Sequence, residues 1–597
     1  MSETVADFLV ARLAEWGVRH VYGFPGDGIN GFLGALERGE NKVRFIQTRH
    51  EEMAAFMACA HAKYTGTVGV CTATSGPGAI HLLNGLYDAK LDHAPVVAIV
   101  GQTYSTAMGG DQQQEVDLLS LYKDVAAAYV QQVNTAPQMR HVIDRALRIA
   151  QAERTVTAVI IPADVQEMKA VPQQKPSLKA IQSGIGFVGS RVLPESTDLD
   201  RAADILNAGE KVAMLVGAGA LEAGDEVLAT ADVLGAGVAK ALLGKAVIPD
   251  DVPFCTGSIG LLGTRASWEM MQQCDTLLMV GSAFPYSNFL PEVGKARGVQ
   301  IDLAARMMSI RYPMDVLLCG DAKPTLQELL PRLRRKQDRS WQEKIIKDVE
   351  GWWRLMEDRA APEQRDGRVR PQPLFSSLSQ QLPDNAIIST DSGSAANWFA
   401  RHIKLRRGMK ASLSGNLATM LPGVPYAIAA KFAYPDRVSI ALVGDGAMQM
   451  GGMAEMLTAA KYYKEWKDPR LIVLVLNNED LNQVTWEQRV MAGDPKFEAS
   501  QVIPYVPFEQ WAQMIGILGI KVDRVDQIER AWQQALSADR PVIINALTDP
   551  EEPPLPPHIT VEQAKKFTES IVKGDPSGIR DAVTAIREKV DEFVPGH

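Results

Sequence analysis

The stretch from Val438 to Asn478 constrains the fold of this chain more than any other. An apolar run, VSIALV, leads into a Gly-Asp-Gly turn and a helical pattern, and a second apolar run, LIVLVL, ends in two asparagines. Continuous apolar runs of this length, bounded by turn residues, predict strands that are buried on both faces. A strand–helix–strand order predicts a parallel sheet, in which Asp445 and Asn478 follow neighbouring strands at the same edge.

A carboxylate and an amide at one sheet edge could share a hard divalent cation, which prefers oxygen ligands and accepts a diphosphate as a further partner. The helix that follows Gly446 would direct backbone N–H groups at the same anion. A Gly-Asp-Gly triplet alone is also an ordinary turn. The two flanking strands and the asparagine pair therefore carry the prediction, and Asp468-Pro469 is expected to end the intervening helix.

Composition excludes several classes of protein. The chain has 597 residues, a net charge of −9 and a pI near 5.6, which argue against nucleic-acid binding. No apolar run is long enough to cross a bilayer, and Val5, Leu9 and Leu13 share a stripe on a charged first helix that does not resemble a signal peptide. The cysteines lack metal-ligand spacing and are expected to be reduced, buried residues of a cytoplasmic protein; they are Cys59, Cys71, Cys255, Cys274 and Cys319.

Alternating strand and helix patterns predict an α/β protein with three doubly wound parallel sheets. The expected domains are residues 1–175, 190–335 and 365–550, followed by a tail, 551–597. A linker is expected at 171–190, where Pro, Gln, Lys and Ser interrupt the pattern. The charge-rich run after Leu333 is expected to form a solvated helix that leads to the third domain.

The GDG…NN unit and Glu51, which follows the strand-like VRFIQT, resemble the signature of thiamine diphosphate (ThDP)-dependent enzymes. The segment SGPGAIHLLNGLYDAKLDHAPVVAIVGQ is most similar to the pyruvate oxidases, and acetolactate synthases are less similar. The resemblance covers nearly the whole chain. It implies an N-terminal pyrimidine-binding domain, a central FAD-type domain and a C-terminal diphosphate-binding domain.

The resemblance also implies roles for particular residues. Glu51 would protonate a ring nitrogen of the cofactor's aminopyrimidine; the alternative is a helix N-terminal charge favoured by the dipole. Met420 would be the apolar wedge between the two cofactor rings. Mg²⁺ would be bound by the side chains of Asp445 and Asn478 and by the backbone carbonyl of Asp480, although Asp480 could instead be a surface acid. The other expected cofactor contacts are Asp391, Ser392, Gly393, Ser394, Gly444, Gly446, Ala447 and Met448.

In the central domain, the residues that match the family's FAD contacts are Gly260, Thr264, Ser282, Phe284, Tyr286 and Asp302. Gln114 and Glu487 match positions near the reacting carbon, and the alternative for both is a solvent-facing role. His81 and His93 are either structural or substrate-binding. Gln113 and Gln483 depart from the pattern, because they stand where the family commonly has phenylalanine, and they put substrate choice and electron transfer in question.

The function implied is ThDP- and Mg²⁺-dependent oxidative decarboxylation of pyruvate or a similar 2-oxo acid. Electrons would pass to FAD and then to an acceptor such as a quinone or dioxygen. The alternatives are a non-oxidative carboligase of the acetolactate synthase type and a catalytically silent relative. Because Glu51 and Asp445 lie on different domains, a homodimer is the minimum assembly implied, and a homotetramer built from dimers is expected. The amphipathic stripe from Ile579 to Phe593 is expected to dock on the protein, with at most peripheral membrane contact.

Overall fold

Three six-stranded sheets follow one another along the part of the chain that the computed structural model describes, namely residues 3–40, 42–172, 181–362, 364–365, 367–554 and 561–575. Every strand pair within these sheets is parallel. Helices cover both faces of each sheet. The strands are therefore buried, which is what their continuous apolar sequences predicted. The α/β prediction of three doubly wound domains is confirmed.

The first sheet has the order β2-β1-β3-β4-β6-β5. Its strands are β1 (His20–Gly23), β2 (Arg44–Gln47), β3 (Gly69–Ala73), β4 (Val96–Gln102), β5 (Tyr129–Gln132) and β6 (Val156–Pro162). Its helices are α1 (Val5–Glu15), α2 (Asn30–Arg38), α3 (Glu51–Thr65), α4 (Pro77–His81), α5 (Leu83–Leu91), α6 (Leu118–Leu121), α7 (Gln138–Glu153) and α8 (Ala163–Glu167).

The central sheet has the order β12-β11-β10-β7-β8-β9, which is the strand order of dinucleotide-binding folds. Its strands are β7 (Val212–Val216), β8 (Gly237–Lys240), β9 (Cys255–Ser258), β10 (Thr276–Val280), β11 (Arg297–Asp302) and β12 (Val316–Cys319). Its helices are α9 (Ser196–Ala208), α10 (Gly224–Leu234), α11 (Arg265–Gln273), α12 (Ala322–Leu329) and α13 (Ser340–Arg359). A short antiparallel pair, β13 (Gln364–Arg365) and β14 (Arg368–Val369), precedes the third domain.

The third sheet has the order β16-β15-β17-β18-β20-β19, which repeats the topology of the first. Its strands are β15 (Ile387–Thr390), β16 (Lys410–Ser412), β17 (Ser439–Gly444), β18 (Leu471–Asn477), β19 (Leu518–Val522) and β20 (Val542–Leu547). The helices that follow in the chain are α14 (Pro371–Gln381), α15 (Ser394–His402), α16 (Gly423–Ala433), α17 (Asp445–Ala447), α18 (Met453–Tyr462), α19 (Asn482–Glu487), α20 (Glu498–Gln501), α21 (Phe508–Met514), α22 (Ile528–Leu536) and α23 (Val561–Val572).

The first and third domains share one hydrophobic core, in which α3 packs against α16. A buried polar cluster lies inside this contact. Lys63 Nζ donates to Asp92 Oδ2 and to the Tyr426 hydroxyl, each at 2.7 Å, and that hydroxyl donates to Asp88 Oδ2 at 2.5 Å. Because these buried charges are paired and hydrogen-bonded, the two domains are held in one orientation.

Two expectations about burial are wrong. Helix α13 buries Trp341, Ile345, Val349 and Trp352 along one face, so it is amphipathic and not simply solvated. Four of the five cysteines are buried, but Cys319 is exposed, because it lies on the edge strand β12, where alternate residues face solvent.

The remaining expectations concern the chain ends. The apolar stripe of α1 is confirmed, since Val5, Leu9 and Leu13 are buried. The described parts of the predicted linker, residues 171–172 and 181–190, have no helix or strand. The predicted stripe from Ile579 to Phe593 lies outside the described residues. Within the described residues, no helix combines the length and the apolar character that crossing a membrane requires.

Candidate active site

The carboxyl edge of the third sheet has a crevice between β15 and β17. These strands are neighbours, but β15 connects to β16 on one side and β17 connects to β18 on the other. The loops therefore diverge, and ligands of open α/β sheets bind in such crevices. The loop after β15 begins at Asp391, and the one after β17 begins at Asp445, so both predicted cofactor-binding turns lie at this point.

Asp445 is the first residue of α17 and is 2% exposed. Its Oδ1 accepts from the backbone N–H of Gly446 at 2.9 Å, and its Oδ2 accepts from those of Asn478 and Glu479 at 2.9 and 2.7 Å. Burial nevertheless outweighs these donors and raises the pKa of Asp445 to about 7. A bound cation would favour the charged form and oppose this shift.

The loop after β18 brings two further oxygen groups beside Asp445. Asn478 Oδ1 accepts from the backbone N–H of Asp480 at 3.0 Å. The Asp480 carboxylate is buried and is held by the Thr485 hydroxyl, at 2.5 Å, and by Lys496. Asp480 is therefore not a surface acid, and its side chain is engaged away from a cation, so its backbone oxygen is the group that could act as a ligand. A donor set made only of oxygens suits a hard divalent cation.

The carboxylate of Asp391 binds backbone N–H groups of its own turn and of the loop that contains Met420. Its carboxylate is 1% exposed and accepts from the backbone N–H groups of Ser392 (2.9 Å), Leu421 (2.8 Å) and Gly423 (3.2 Å). Burial raises its pKa to about 7 despite these donors. Leu421 has φ +96°, a strained backbone conformation for leucine. Asp391 thus fixes the loop that carries Met420.

Met420 lies over the first turn after β17. A Cβ built on Gly446 would come within 3.3 Å of Met420 Cε and 2.6 Å of Leu481 Cδ2, so both side-chain ends lie against this turn. Ala447 and Met448 are buried, and the Met448 sulfur packs inward against Gly452. Their contribution to a ligand would come from the backbone. At Gly444 an added Cβ would meet no atom within 4 Å, so the crevice is open there.

The turn after β15 is shaped by glycine. Gly393 has φ +104°, which side chains rarely allow, and Ser394 begins α15. A Cβ on Gly393 would lie 4.0 Å from Gln483 Cβ, which places Gln483 across the crevice from this turn. Gln483 Oε1 accepts from Asn397 Nδ2 at 3.0 Å, and Gln483 Nε2 donates to Glu487 Oε1 at 3.0 Å.

Glu51 begins α3 at the matching edge of the first sheet. Glu51 is 7% exposed, and its Oε2 lies 3.0 Å from His81 Nδ1. A Cβ on Gly78 would come within 3.1 Å of Glu51 Oε1 and 2.7 Å of Thr74 Cγ2, so glycine lets the chain pass close to that oxygen. The rings of His50 and His81 are 4.4 Å apart and tilted by 31°. One ligand atom from each of His50, Glu51 and His81 lies within 4.8 Å of the other two, close enough to share a metal ion.

Gln114 and Gln113 lie on an exposed loop close to this acid. Gln114 has φ +65°, and its Oε1 accepts from the Ser75 hydroxyl at 3.1 Å. Gly76, at φ +60°, lies against it, since an added Cβ would be 2.8 Å from Gln114 Cβ. Gln113 is exposed.

The central sheet has its own crevice, between β7 and β10. Gly281 has φ +60°, and a Cβ there would lie 2.5 Å from the backbone of Gly219. A Cβ on Gly217 would be 2.5 Å from the Gly281 oxygen. Only glycine permits this close approach of two strand ends, at the point where dinucleotides bind in folds of this order.

The residues predicted to contact FAD differ in their exposure and in their hydrogen bonds. Ser282 Oγ accepts from the backbone N–H of Phe284 at 3.2 Å, and Gly260, at φ +102°, lies beneath the Phe284 ring. Tyr286 is exposed, with its ring 5.8 Å from that of Phe284. The Thr264 hydroxyl caps α11 and donates to the Thr256 oxygen at 2.5 Å, so it faces inward.

Asp302 is half-buried at the end of β11. Its Oδ1 accepts from the backbone N–H of Ala304 at 2.8 Å, and burial raises its pKa. The Asp302 carboxylate interacts electrostatically with His93 of the first domain, and burial lowers the pKa of His93. His93 therefore lies at the boundary between the first and central domains.

Three residues of this region were missed. Asn397 holds Gln483, Gly78 passes close to Glu51, and Asn84 Nδ2 donates to Glu52 Oε1 at 2.6 Å and to Thr419 Oγ1 at 3.2 Å. Gly78 could have been predicted from the sequence, because it lies in the motif SGPG. The other two act across 86 and 335 residues of sequence, and local patterns carry no signal for such contacts.

Comparison with known proteins gives a consistent result. Three domain models of thiamine pyrophosphate enzymes match the chain: the N-terminal TPP-binding domain at residues 3–121, the central domain at 199–329 and the C-terminal TPP-binding domain at 391–546.

Similar chains extend over nearly the full length. "Putative thiamine pyrophosphate-containing protein YdaP" of Bacillus subtilis (strain 168) is 36% identical over 573 residues, 96% of each chain. Pyruvate oxidase of Lactiplantibacillus plantarum is 30% identical, over 91% of this chain and 88% of its own. Acetolactate synthase isozyme 2 large subunit of Escherichia coli (strain K12) is 30% identical, over 92% and 97%. The chain belongs to the thiamine pyrophosphate-dependent enzymes.

Proposed function

We propose that the chain decarboxylates pyruvate or a similar 2-oxo acid oxidatively, with ThDP, Mg²⁺ and FAD, and passes the electrons to a quinone or dioxygen. The observation that carries this proposal is the pairing of two crevices in one chain. One, in the third sheet, gathers Asp445 with the Asn478–Asp480 loop, and the other, in the central sheet, has a dinucleotide-binding strand order.

In this proposal, Asp445, Asn478 and the Asp480 carbonyl hold Mg²⁺, and the residues after β15 and β17 bind the diphosphate. All three ligands would be oxygens, from two loops that are hydrogen-bonded to each other, which fits that cation. ThDP, when bound, supplies a nucleophilic carbon and an electron-accepting ring.

The chain's own residues then position and move protons. Glu51 Oε1, next to Gly78, would hold the proton for the cofactor's ring nitrogen, while Oε2 is held by His81. Asp391 keeps the Met420 loop in its strained conformation, so that Met420 supports the cofactor between its rings. Gln114 and Glu487 approach the reacting carbon from opposite domains.

Support for FAD comes from Gly281 and Gly217, which bring two strand ends together at the central switch point, and from similarity to a pyruvate oxidase. The remaining expected contacts are Gly260, Thr264, Ser282, Phe284, Tyr286 and Asp302. Of these, Thr264 has its hydroxyl engaged with the protein and would contribute only through its backbone.

A non-oxidative carboligase of the acetolactate synthase type is the second candidate. Its support is the E. coli isozyme, which is 30% identical to this chain, the same identity as the pyruvate oxidase. In that case a flavin would be absent or structural.

The assembly belongs to the proposal as well. Glu51 and Asp445 begin helices in different domains, and we propose that they meet across two subunits, in a homodimer that pairs into a homotetramer. We place the enzyme in the cytoplasm, with at most peripheral membrane contact through its tail, and without a nucleic-acid partner, since the net charge is −9.

One anaerobic experiment separates the two candidates. The purified enzyme with ThDP and Mg²⁺ is mixed with pyruvate while its visible spectrum is recorded. Bleaching of a flavin band with release of CO₂ supports oxidation. Formation of acetolactate or acetoin without bleaching supports the carboligase and contradicts the oxidase.

A further inference from the structure

The side-chain amide of Gln483 is held at both ends. Asn397 Nδ2 donates to Gln483 Oε1, and Gln483 Nε2 donates to Glu487 Oε1, each at 3.0 Å. Asn397 is 1% exposed, whereas Gln483 is half-buried and Glu487 is exposed. We call these three residues the amide relay.

The amide relay lies at the crevice of the third sheet. Gln483 is the second residue of α19 and follows directly on the Asn478–Asp480 loop. Its Cβ is 4.0 Å from the position of a Cβ on Gly393, in the turn after β15. The relay therefore joins α15, which follows β15, to α19, which follows the loop after β18.

The Glu487 carboxylate fixes the orientation of the two side-chain amides. An ionised carboxylate only accepts hydrogen bonds, so Glu487 requires the Nε2 end of Gln483 to face it. Gln483 Oε1 then faces Asn397, which must present its own NH₂ group. Reversing either amide would place two acceptors against each other, so the orientation follows from the network.

With this orientation, the crevice presents a donor beside an acceptor. One N–H of Gln483 Nε2 binds Glu487 Oε1, and among the described residues no partner is seen for its second N–H or for Glu487 Oε2. A hydroxyl group can accept from the first and donate to the second. A methyl or methylene group in the same place would leave both polar groups desolvated and unpaired, which is costly.

We propose that the amide relay makes the enzyme select 2-oxo acids that carry a hydroxyl group on the carbon next to the carbonyl. This inference rests on the proposed function, since it assigns the substrate class of that same crevice. It also gives a physical reason for glutamine at position 483, where an aromatic side chain would favour an apolar substrate.

The test compares two 2-oxo acids of nearly equal size, 3-hydroxypyruvate and 2-oxobutanoate. CO₂ release by the ThDP- and Mg²⁺-loaded enzyme gives kcat/KM for each without reference to the electron acceptor. We expect the hydroxylated acid to be preferred by at least about tenfold. Gln483→Met, which keeps the length and removes the amide, should reduce this ratio by about tenfold, mainly through the hydroxylated acid.

Two further variants complete the design. Glu487→Gln, at an exposed position where folding is not at risk, should also reduce the ratio, because Gln483 loses its charged acceptor. Gln513→Met, the same change at an exposed glutamine on α21, should leave the ratio as in the unmodified enzyme.

A kcat/KM ratio near one between the two acids in the unmodified enzyme overturns the proposal for the amide relay alone. So does a ratio that Gln483→Met and Glu487→Gln leave unchanged. If the unmodified enzyme releases CO₂ from none of the 2-oxo acids, pyruvate included, the proposed function falls and the inference falls with it.

Discussion

The carboxylate of Asp391 accepts a hydrogen bond from the backbone N–H of Leu421, 30 residues further along the chain and 2.8 Å away. Leu421 has φ +96°, so the backbone next to Met420 is strained and depends on this carboxylate. The relationship makes Asp391 a support for the predicted wedge. It also explains why an acid stays buried at the end of β15.

Asp391→Asn should loosen the Met420 loop. An amide NH₂ group would face at least one of the three backbone N–H donors, so we expect a loss of about 1–3 kcal/mol in the free energy of unfolding. ThDP binding should weaken as well. Urea denaturation and quenching of tryptophan fluorescence by ThDP measure the two effects.

The control for this change is Asp436→Asn, at an exposed position of the same domain. It should alter neither quantity. Equal ThDP affinity in Asp391→Asn and the unmodified protein would show that Asp391 does not support the loop.

Removal of the metal should release ThDP, and Asp445→Asn should weaken Mg²⁺ binding by more than about tenfold, because the charged ligand is lost. Asp480→Asn should leave the Mg²⁺ affinity unchanged, since the Asp480 carboxylate is held by Thr485 and Lys496. Titration of the metal-free enzyme with Mg²⁺ in the presence of ThDP measures both. A larger effect at position 480 than at 445 would reverse the assignment of ligands.

Glu455 should make stability fall as pH rises. It is fully buried, accepts from the backbone N–H of Arg49 at 3.0 Å, and has its pKa raised by burial from 4.5 to about 7. A carboxyl whose folded pKa exceeds its unfolded pKa holds its proton longer in the folded state. The free energy of unfolding therefore declines between pH 4.5 and pH 7 and stays lower above.

Glu455→Gln removes this penalty, so we expect it to stabilise the protein at pH 8 by roughly 1–3 kcal/mol and to change little at pH 4.5. Urea midpoints at the two pH values measure the difference. Destabilisation at pH 8 would mean that the ionised carboxylate is needed for the contact between the first and third domains.

Gly281→Ala should reduce flavin content, because its Cβ would lie 2.5 Å from the backbone of Gly219 at the central crevice. Gly294→Ala is the matched control. It has φ +88° and the same backbone strain, but its Cβ would meet no atom within 4 Å. The ratio of flavin to protein absorbance after purification should fall only in Gly281→Ala, and an undiminished ratio in Gly281→Ala would place the flavin elsewhere.

The sequence predicted the sheets because strands buried on both faces appear as continuous apolar runs, as in β17 and β18. It failed at Cys319, since nothing local marks β12 as an edge strand. It also failed for α13, where the apolar stripe of Trp341, Ile345, Val349 and Trp352 was present but lay among many charges. Helical spacing was the better guide there than composition.

At the candidate site, motifs located the elements but not the partners of their side chains. Asp445 and the Asn478 loop meet because parallel strands end at one edge, which the pattern implies. The bond between Asp391 and Leu421 and the bond between Asn397 and Gln483 depend on how distant loops fold over that edge. Such contacts are properties of the tertiary structure and are absent from local spacing.

The most direct test of the account is CO₂ release from 2-oxo acids by Glu51→Gln, with ThDP binding measured on the same sample. The amide keeps the shape of the side chain and cannot exchange the proton that Glu51 is proposed to supply. We expect ThDP to remain bound and the rate of CO₂ release to fall by about 10²–10⁴-fold. An undiminished rate with ThDP bound would contradict the account.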